Sequence, residues 1–282
     1  MYLCKFGMID DMKNAFSVPV IFMALSAVML LAVQSCKSQY EMMLESHDVP
    51  AKYKMAFDLF DAGKYAKAAG MFENLKIAVR GTAQDDTVQY YTAYSHYCYG
   101  DMTAAEQAFE SFINVYPRSP FADKARFMYL DCLYNSTYRY ELDQTPTYKA
   151  LAAITNYLID FPDNEYAAQC HAMIDNLEER LDRKEYESAK LYYTIEDYKA
   201  AHYALKLVLK EDADNVYRED IMYYTVMSAY KYAFNSVVDR QRDRYVTFTD
   251  DYFTFVSEFP DSKYRKELDG LASKVQKILN KQ

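Results

Sequence analysis

The sequence predicts an all-α protein built as an array of helical hairpins. Three observations carry that prediction. A pattern of two helices and a turn recurs along the chain; only 6 glycines and 7 prolines occur in 282 residues; and 51% of the residues are hydrophobic, enough to fill a core shared between neighbouring hairpins. Low glycine and proline content argues against a β-rich or disordered chain, and most of the prolines stand at the pattern's boundaries.

The clearest copy runs from Tyr99 to Met128. Thr103 with Glu106 fits a capping box, and Ala105, Ala108, Phe109, Phe112 and Tyr116 then form one apolar helix face. Pro117 ends that helix. Ser119 and Pro120 supply an N-cap and a first helical residue for a second helix, which must turn back on the first. The same punctuation returns at Gly63, Tyr65, Ala68 and Phe72; at Ala150, Ile154, Tyr157 and Pro162; at Tyr198, Ala201 and Leu205; and at Tyr252, Phe255 and Pro260, where Asp261 and Ser262 offer the next cap. Recurrence at roughly 34 to 50 residues, with small residues where helices cross, is the signature of a tetratricopeptide-like helical-hairpin solenoid of about five repeats.

In order, the periodicity predicts helices over residues 51–61, 65–79, 83–99, 103–116, 120–134, 146–160, 165–194 with a break near Leu181, 199–210, 216–235, 245–259 and 263–280. Asn135 to Thr145 and the charged stretch Asp239 to Arg244 read as irregular connections.

The first residues are of another kind. Lys13 precedes an uncharged run from Ala15 to Val33 that closes on Gln34, Ser35 and Cys36, the pattern of a lipoprotein signal. This divides the chain into a signal peptide (1–35), a lipidated tether (36–50) beginning at Cys36, and a repeat domain (51–282). Met1 and Met12 are both candidate starts. A plain membrane anchor is the competing reading, because a run of about 19 residues can span a bilayer.

A formal charge of −9 and a pI near 5.1 disfavour nucleic acid as the main partner. His47, His96, His171 and His202 lie far apart and outside any metal-binding spacing, so no metal and no cofactor are expected. Cys98, Cys132 and Cys170, an odd number flanked by aromatic residues, read as buried thiols. The pairs Asp85/Asp86, Glu178/Glu179 and Asp250/Asp251 lie near helix ends, where the helix dipole favours acids. No nucleophile elbow, phosphate-binding glycine loop or dinucleotide fingerprint is present, and no catalytic residue is assigned. The chain contains 30 tyrosines and no tryptophan. Tyr90, Tyr94 and Tyr97 share one helix face, either as core or as the lining of a binding groove.

Several segments together resemble a known family. They are the lipoprotein cysteine Cys36, FDAGKYAKAAGMFENL (60–75), FESFINVYPRSPFADKARF (109–127), LDQTPTYKALAAITNYLIDFPDNEYA (142–167) and KEYESAKLYY (184–193). The chain resembles the BamD (YfiO) outer membrane assembly lipoproteins, in a Bacteroidetes-like form. The resemblance implies a non-enzymatic, lipid-anchored protein of the outer membrane that faces the periplasm. It further implies a BamA-like β-barrel insertase as partner, docked through a POTRA domain at the C-terminal repeats, with unfolded outer membrane proteins handled at the N-terminal repeats. On that reading Tyr90, Tyr94 and Tyr97 would hold substrate segments, and Arg240, Arg242 and Arg244 would stand at the rim of the insertase surface. The sequence departs from the family pattern at LKEDADNVY (209–217), which lacks the terminal Tyr-Pro, and at Asp239 to Arg244. A lipoprotein that binds glycan or peptide for an outer membrane transporter is the alternative on the same scaffold.

Overall fold

The computed structural model describes residues 38–281. Twelve α-helices make up the regular structure among the described residues. The signal segment and Cys36 lie outside them. The chain divides into two compact units at Tyr99 and Gly100.

The first unit contains α1 (Gln39–Glu45), α2 (Val49–Asp61), α3 (Tyr65–Leu75) and α4 (Asp85–Tyr99). Its core consists of Ala56, Ala68, Met71, Phe72, Leu75, Val79 and Val88. The turn between α2 and α3 needs Gly63, whose φ of 70° lies in the left-handed region that glycine adopts without steric cost. Part of the stretch expected as a tether is therefore structured. Ser38 and Glu41 form a capping box at the start of α1, and the Tyr40 hydroxyl donates to the Lys67 carbonyl at 3.1 Å. A Cβ at Gly70 would meet that hydroxyl oxygen at 2.6 Å, so a larger residue there would push the Tyr40 side chain aside. Lys52, 8% exposed, ties the end of α1 to α3 by donating to the carbonyl of Leu44 and to Asn74 Oδ1.

The second unit is four successive hairpins: α5 (Met102–Val115) with α6 (Ala122–Asn135), α7 (Thr145–Asp160) with α8 (Ala167–Thr194), α9 (Tyr198–Glu211) with α10 (Arg218–Phe234), and α11 (Val238–Glu258) with α12 (Arg265–Lys281). Each helix packs against its neighbours in sequence. No hairpin among α7 to α12 has a core to itself. Leu130 and Leu133 of α6 pack with Ile154 and Tyr157 of α7 and with Cys170 and Leu177 of α8. Tyr186 and Ala189, farther along α8, pack with Ala201, Leu205 and Val208 of α9 and Ile221 of α10. Met222 and Val226 then join Phe248 and Phe255 of α11 and Leu268 and Val275 of α12. The break expected near Leu181 is absent, because the two halves of α8 serve successive cores and nothing in the sequence interrupts their hydrogen bonding. Ala68, Ala105 and Ala201 are fully buried at the repeated small position.

Two chemistries start the helices. Asp48, Asp101 and Asp197 cap α2, α5 and α9, each accepting from the backbone N–H three residues on. Asp101 thus displaces the expected Thr103–Glu106 capping box: α5 starts one residue before Thr103, and Glu106 instead accepts from Lys149 at 2.6 Å. The second helix of each hairpin in this unit begins after a side-chain turn. Ser119, Asn164, Asn215 and Ser262 accept from the N–H of Phe121, Tyr166, Tyr217 and Tyr264, and each helix starts at the next residue. Ser119 and Ser262 are therefore turn residues rather than N-caps. Three of the aromatic residues lie flat on the preceding hairpin's second helix: Tyr166 on Phe127 at 4.3 Å, Tyr217 on Tyr186 at 5.2 Å and Tyr264 on Tyr223 at 3.8 Å between ring centroids. The divergent turn near 212–217 keeps this device through Asn215, even without Tyr-Pro.

The largest departure from expectation is Asp239 to Arg244, which is helical. These residues form the opening turns of α11. They contain no glycine or proline, and Gln241 donates to the carbonyls of Phe234 and Ser236, satisfying groups left over at the end of α10. At the other end of the scale α3 stops at Leu75, and residues 76–80 continue as turns with Val79 still buried.

Two stability measurements test this packing. Ala201→Leu should destabilise by about 1–3 kcal/mol, the usual cost of overpacking a filled site; an unchanged melting temperature would contradict the helix crossing at that position. Exposed Glu196 holds φ 65° just before the cap Asp197, where Gly100 precedes Asp101 with φ 91°. Left-handed backbone costs a side-chain-bearing residue about 1–2 kcal/mol, partly offset by glycine's entropy. Glu196→Gly should therefore raise the melting temperature by about 1–3 °C, and a fall would show that the glutamate is favoured there for another reason.

Candidate functional site

Packing hairpins side by side leaves a cleft wherever the first helices of two neighbours and the helix between them fail to close. Two such clefts open in the second unit. One, of about 340 Å3, lies among α5, α6 and α7; Asn114, Tyr129, Asn156 and Tyr157 line it, with Glu110, Arg126 and Asp160 adding charge. Burial pushes the pKa of the Tyr157 hydroxyl up to about 12, so it stays a neutral donor. The other, of about 410 Å3, lies among α9, α10 and α11, with Leu209, Met222 and Val226 as its apolar wall and Lys206, Lys210 and Arg218 as its cations.

Asp251 lines this second cleft with 8% of its surface exposed. Its two carboxylate oxygens are held by His202 Nε2 at 2.6 Å and Lys206 Nζ at 2.7 Å, both reaching across from α9. Burial by itself would raise the carboxyl pKa, but the hydrogen bonds and charges of His202 and Lys206 outweigh it and hold the group below the ordinary carboxylate range. A carboxylate so held is a structural anion, poorly suited to exchange protons near neutrality. Arg218 is likewise engaged, by Glu258 and by the carbonyl of Ala213. The clefts offer apolar walls and fixed hydrogen-bonding groups, an arrangement for recognition.

The tyrosine face forms as its spacing implies. Tyr90 is 2% exposed, while Tyr94 and Tyr97 are half-buried; Tyr94 stacks with Tyr97 at 6.3 Å and leans on Tyr90 and Phe60. Burial raises the pKa of Tyr94, with Cys98 and Tyr65 adding to the shift. The arginines separate. Arg240 and Arg242 are exposed on α11, Arg242 reaching the Leu279 carbonyl at 3.3 Å. Arg244 instead stacks 4.0 Å over the Tyr232 ring and donates to Ser236 Oγ, so it is largely committed to the junction between α10 and α11.

The His202–Lys206–Asp251 network was not visible in the sequence, where His202 is one of four widely spaced histidines. Its only trace is a separation of about one repeat between partners. Cys132 and Cys170 are buried, and burial pushes the Cys132 thiol up to about 12. Of the acidic pairs, Asp85 accepts from the Gly81 N–H at 2.7 Å, and Glu179 accepts from the Tyr217 hydroxyl. Among the described residues, no group of three or more His, Cys, Asp and Glu side chains is placed to hold a metal, and no helix is long and apolar enough to cross a membrane.

A family model described as YfiO, outer membrane lipoprotein, matches residues 46–220, from the end of α1 into α10. The chain belongs to the YfiO family. Within the curated proteins it is similar to the outer membrane protein assembly factor BamD of Caulobacter vibrioides (strain ATCC 19089 / CIP 103742 / CB 15), with 26% identity over 148 residues. That match covers 52% of this chain and 48% of the relative, so the chain spans about half the length of the curated protein it matches. Among solved structures, TTC0263, a thermophilic tetratricopeptide protein of Thermus thermophilus, is 14% identical and is covered over 98% of its length by 81% of this chain. The TM-score of 0.31 is too low to add to the repeat assignment, which rests on the hairpins themselves.

In this YfiO-family chain the Asp251 network gives a pH test. A carboxylate whose pKa is depressed by folding stabilises the fold above its unfolded pKa, near 3.8, and that contribution is lost as pH falls through the lower folded value. Asp251→Asn should cost about 1–3 kcal/mol at neutral pH. In denaturant titrations its deficit should shrink below about pH 4; a deficit constant between pH 7 and pH 3 would show that the carboxylate charge is not what stabilises.

Proposed function

We propose that this protein is a non-enzymatic scaffold of an outer membrane barrel assembly machinery. In this reading residues 1–35 are removed, acylated Cys36 anchors the chain in the outer membrane close to α1, where the fold begins, and the repeat domain faces the periplasm. It binds a BamA-like insertase through a POTRA domain and helps deliver unfolded β-barrel proteins for insertion. The observation that carries the proposal is the YfiO lipoprotein match over residues 46–220, joined by the similarity to an assembly factor.

The site chemistry supports recognition. On α4, half-buried Tyr94 and Tyr97, backed by buried Tyr90, provide rigid aromatic surface with polar edges, suited to an extended apolar segment of an unfolded barrel protein. On α11 the exposed guanidinium groups of Arg240 and Arg242 stand at the proposed rim of the insertase surface, where bidentate pairing with carboxylates sets orientation and association rate. Arg244, committed to Tyr232 and Ser236, contributes through the position of that rim.

Affinity purification of the tagged protein from detergent-solubilised outer membranes tests the reading. A BamA-like insertase should co-purify, and Arg240→Glu with Arg242→Glu should weaken that association in a salt-sensitive way without altering helicity. Unchanged co-purification at low salt would remove these arginines from the interface, and consistent absence of an insertase would remove the function. Cys36→Ala should block incorporation of labelled fatty acid; continued labelling would reject the anchor.

A further inference from the structure

The connection between α6 and α7 differs from the other connections between hairpins in the second unit. Those of α8 to α9 and α10 to α11 take three residues each, whereas residues 136–144 form a nine-residue loop. The loop is organised from within and from below. Buried Gln144 donates to the carbonyls of Arg139 and Leu142, at 2.8 and 3.0 Å, and accepts from Thr147. From α8, Arg180 donates to Thr137 Oγ1 and the Tyr138 carbonyl, and Lys184 donates to the carbonyls of Tyr140 and Leu142. With its carbonyls turned towards these donors, the loop is a fixed wall.

That wall and α8 enclose an open cleft of about 470 Å3, lined in part by Arg139, Arg180 and Arg183. Three guanidinium groups in one cleft are unusual on a chain of net charge −9. None of the three forms an ion pair with a carboxylate of the described residues, although Glu141 lines the same cleft. Two are already oriented. Arg180 spends three donors on Thr137, Tyr138 and Asn176, leaving two of the five that a guanidinium carries. Arg183 lies 4.4 Å over the Tyr140 ring. Guanidinium groups fixed before binding lose little freedom when an oxyanion arrives, and three like charges that outnumber the one carboxylate beside them favour an anion of more than one charge.

We infer that this cleft binds a phosphate-bearing ligand, a phosphomonoester or diphosphate group, through Arg139, Arg180 and Arg183. An open cleft carrying three guanidinium groups suits a tetrahedral, multiply charged oxyanion better than the spaced carboxylates of an extended acidic peptide. The same chemistry is presented by a lipid headgroup such as phosphatidic acid and by a soluble phosphate compound. This site is independent of the assembly role proposed above.

The test uses the full-length protein in phosphatidylcholine nanodiscs, with inorganic pyrophosphate titrated by calorimetry, and flotation with vesicles containing phosphatidic acid. Saturable pyrophosphate binding is expected, weakened by about tenfold or more in the double variant Arg139→Gln/Arg183→Gln and strengthened about two- to fivefold in Glu141→Gln. Arg139 and Arg183 are exposed, so the double variant should keep the wild-type melting temperature; Arg180, which holds the loop, is left intact. Variant-sensitive flotation with phosphatidic acid alone would assign the group to a lipid headgroup, and variant-sensitive pyrophosphate binding alone to a soluble compound. Binding unaffected by the three substitutions, tighter retention of polyglutamate than of pyrophosphate, or no binding of either phosphate probe would overturn the inference.

Discussion

A helix of fourteen residues paired with one partner exposes more apolar surface than the pair can cover, and the second unit is arranged around that shortfall. From α6 onward, each core draws on the second helix of one hairpin and both helices of the next, so the buried surface belongs to junctions. The small residues follow from this. Ala150 and Ala201 are fully buried where a larger side chain would hold neighbouring helices apart, and the large aromatics fill the space between crossings. The clefts follow as well, since they open where neighbouring hairpins meet.

The polar interactions obey the same geometry. Lys149 with Glu106, Lys206 with Asp251, Arg218 with Glu258, and Tyr223 with Glu267 each join residues about one repeat apart, on adjacent hairpins. The aromatic residues before α8, α10 and α12 belong to this set, because each sits between a turn that fixes its backbone and a ring on the preceding hairpin that receives its face. A side-chain turn and a stacked ring thereby set the direction in which each second helix leaves its loop. Aspartate at 212, where the other copies carry an aromatic residue, changes the end of α9 without disturbing that direction, since Asn215 and Tyr217 remain.

Helical periodicity was legible because it depends on residues a few positions apart, and the copies at Ala68, Ala105, Ala150 and Ala201 carry it openly. Helix starts were less so. Asp101, Thr103 and Ser119 all have oxygens able to cap, and a shift of one or two positions exchanges an N-cap for a turn residue without altering the apolar pattern. Asp239 to Arg244 reads as a connection because dense charge resembles a solvated turn, yet Arg240, Gln241, Arg242 and Arg244 are good helix formers and Asp239 lies in the first turn, where the helix dipole favours an acid. The tyrosine face was visible as a face, although its division into buried Tyr90 and half-buried Tyr94 and Tyr97 depends on tertiary packing. The Asp251 network and the arginine cleft were hidden for a different reason: both join residues on separate hairpins, and nothing local marks which of many charges will meet.

The length of α8 has a consequence for how the protein opens. Cys170 and Leu177 lie in one core and Tyr186 and Ala189 in the next, all along one uninterrupted helix of 28 residues. In repeat arrays joined only by loops, a terminal hairpin can fray while its neighbour stays folded. Here the two junctions share a single hydrogen-bonded rod, so loosening either exposes part of the same helix. Amide hydrogens in the middle of α8, around Leu181, should then exchange with solvent only when both junctions open together, which makes this helix the slowest-exchanging segment of the second unit and the place where its unfolding becomes cooperative.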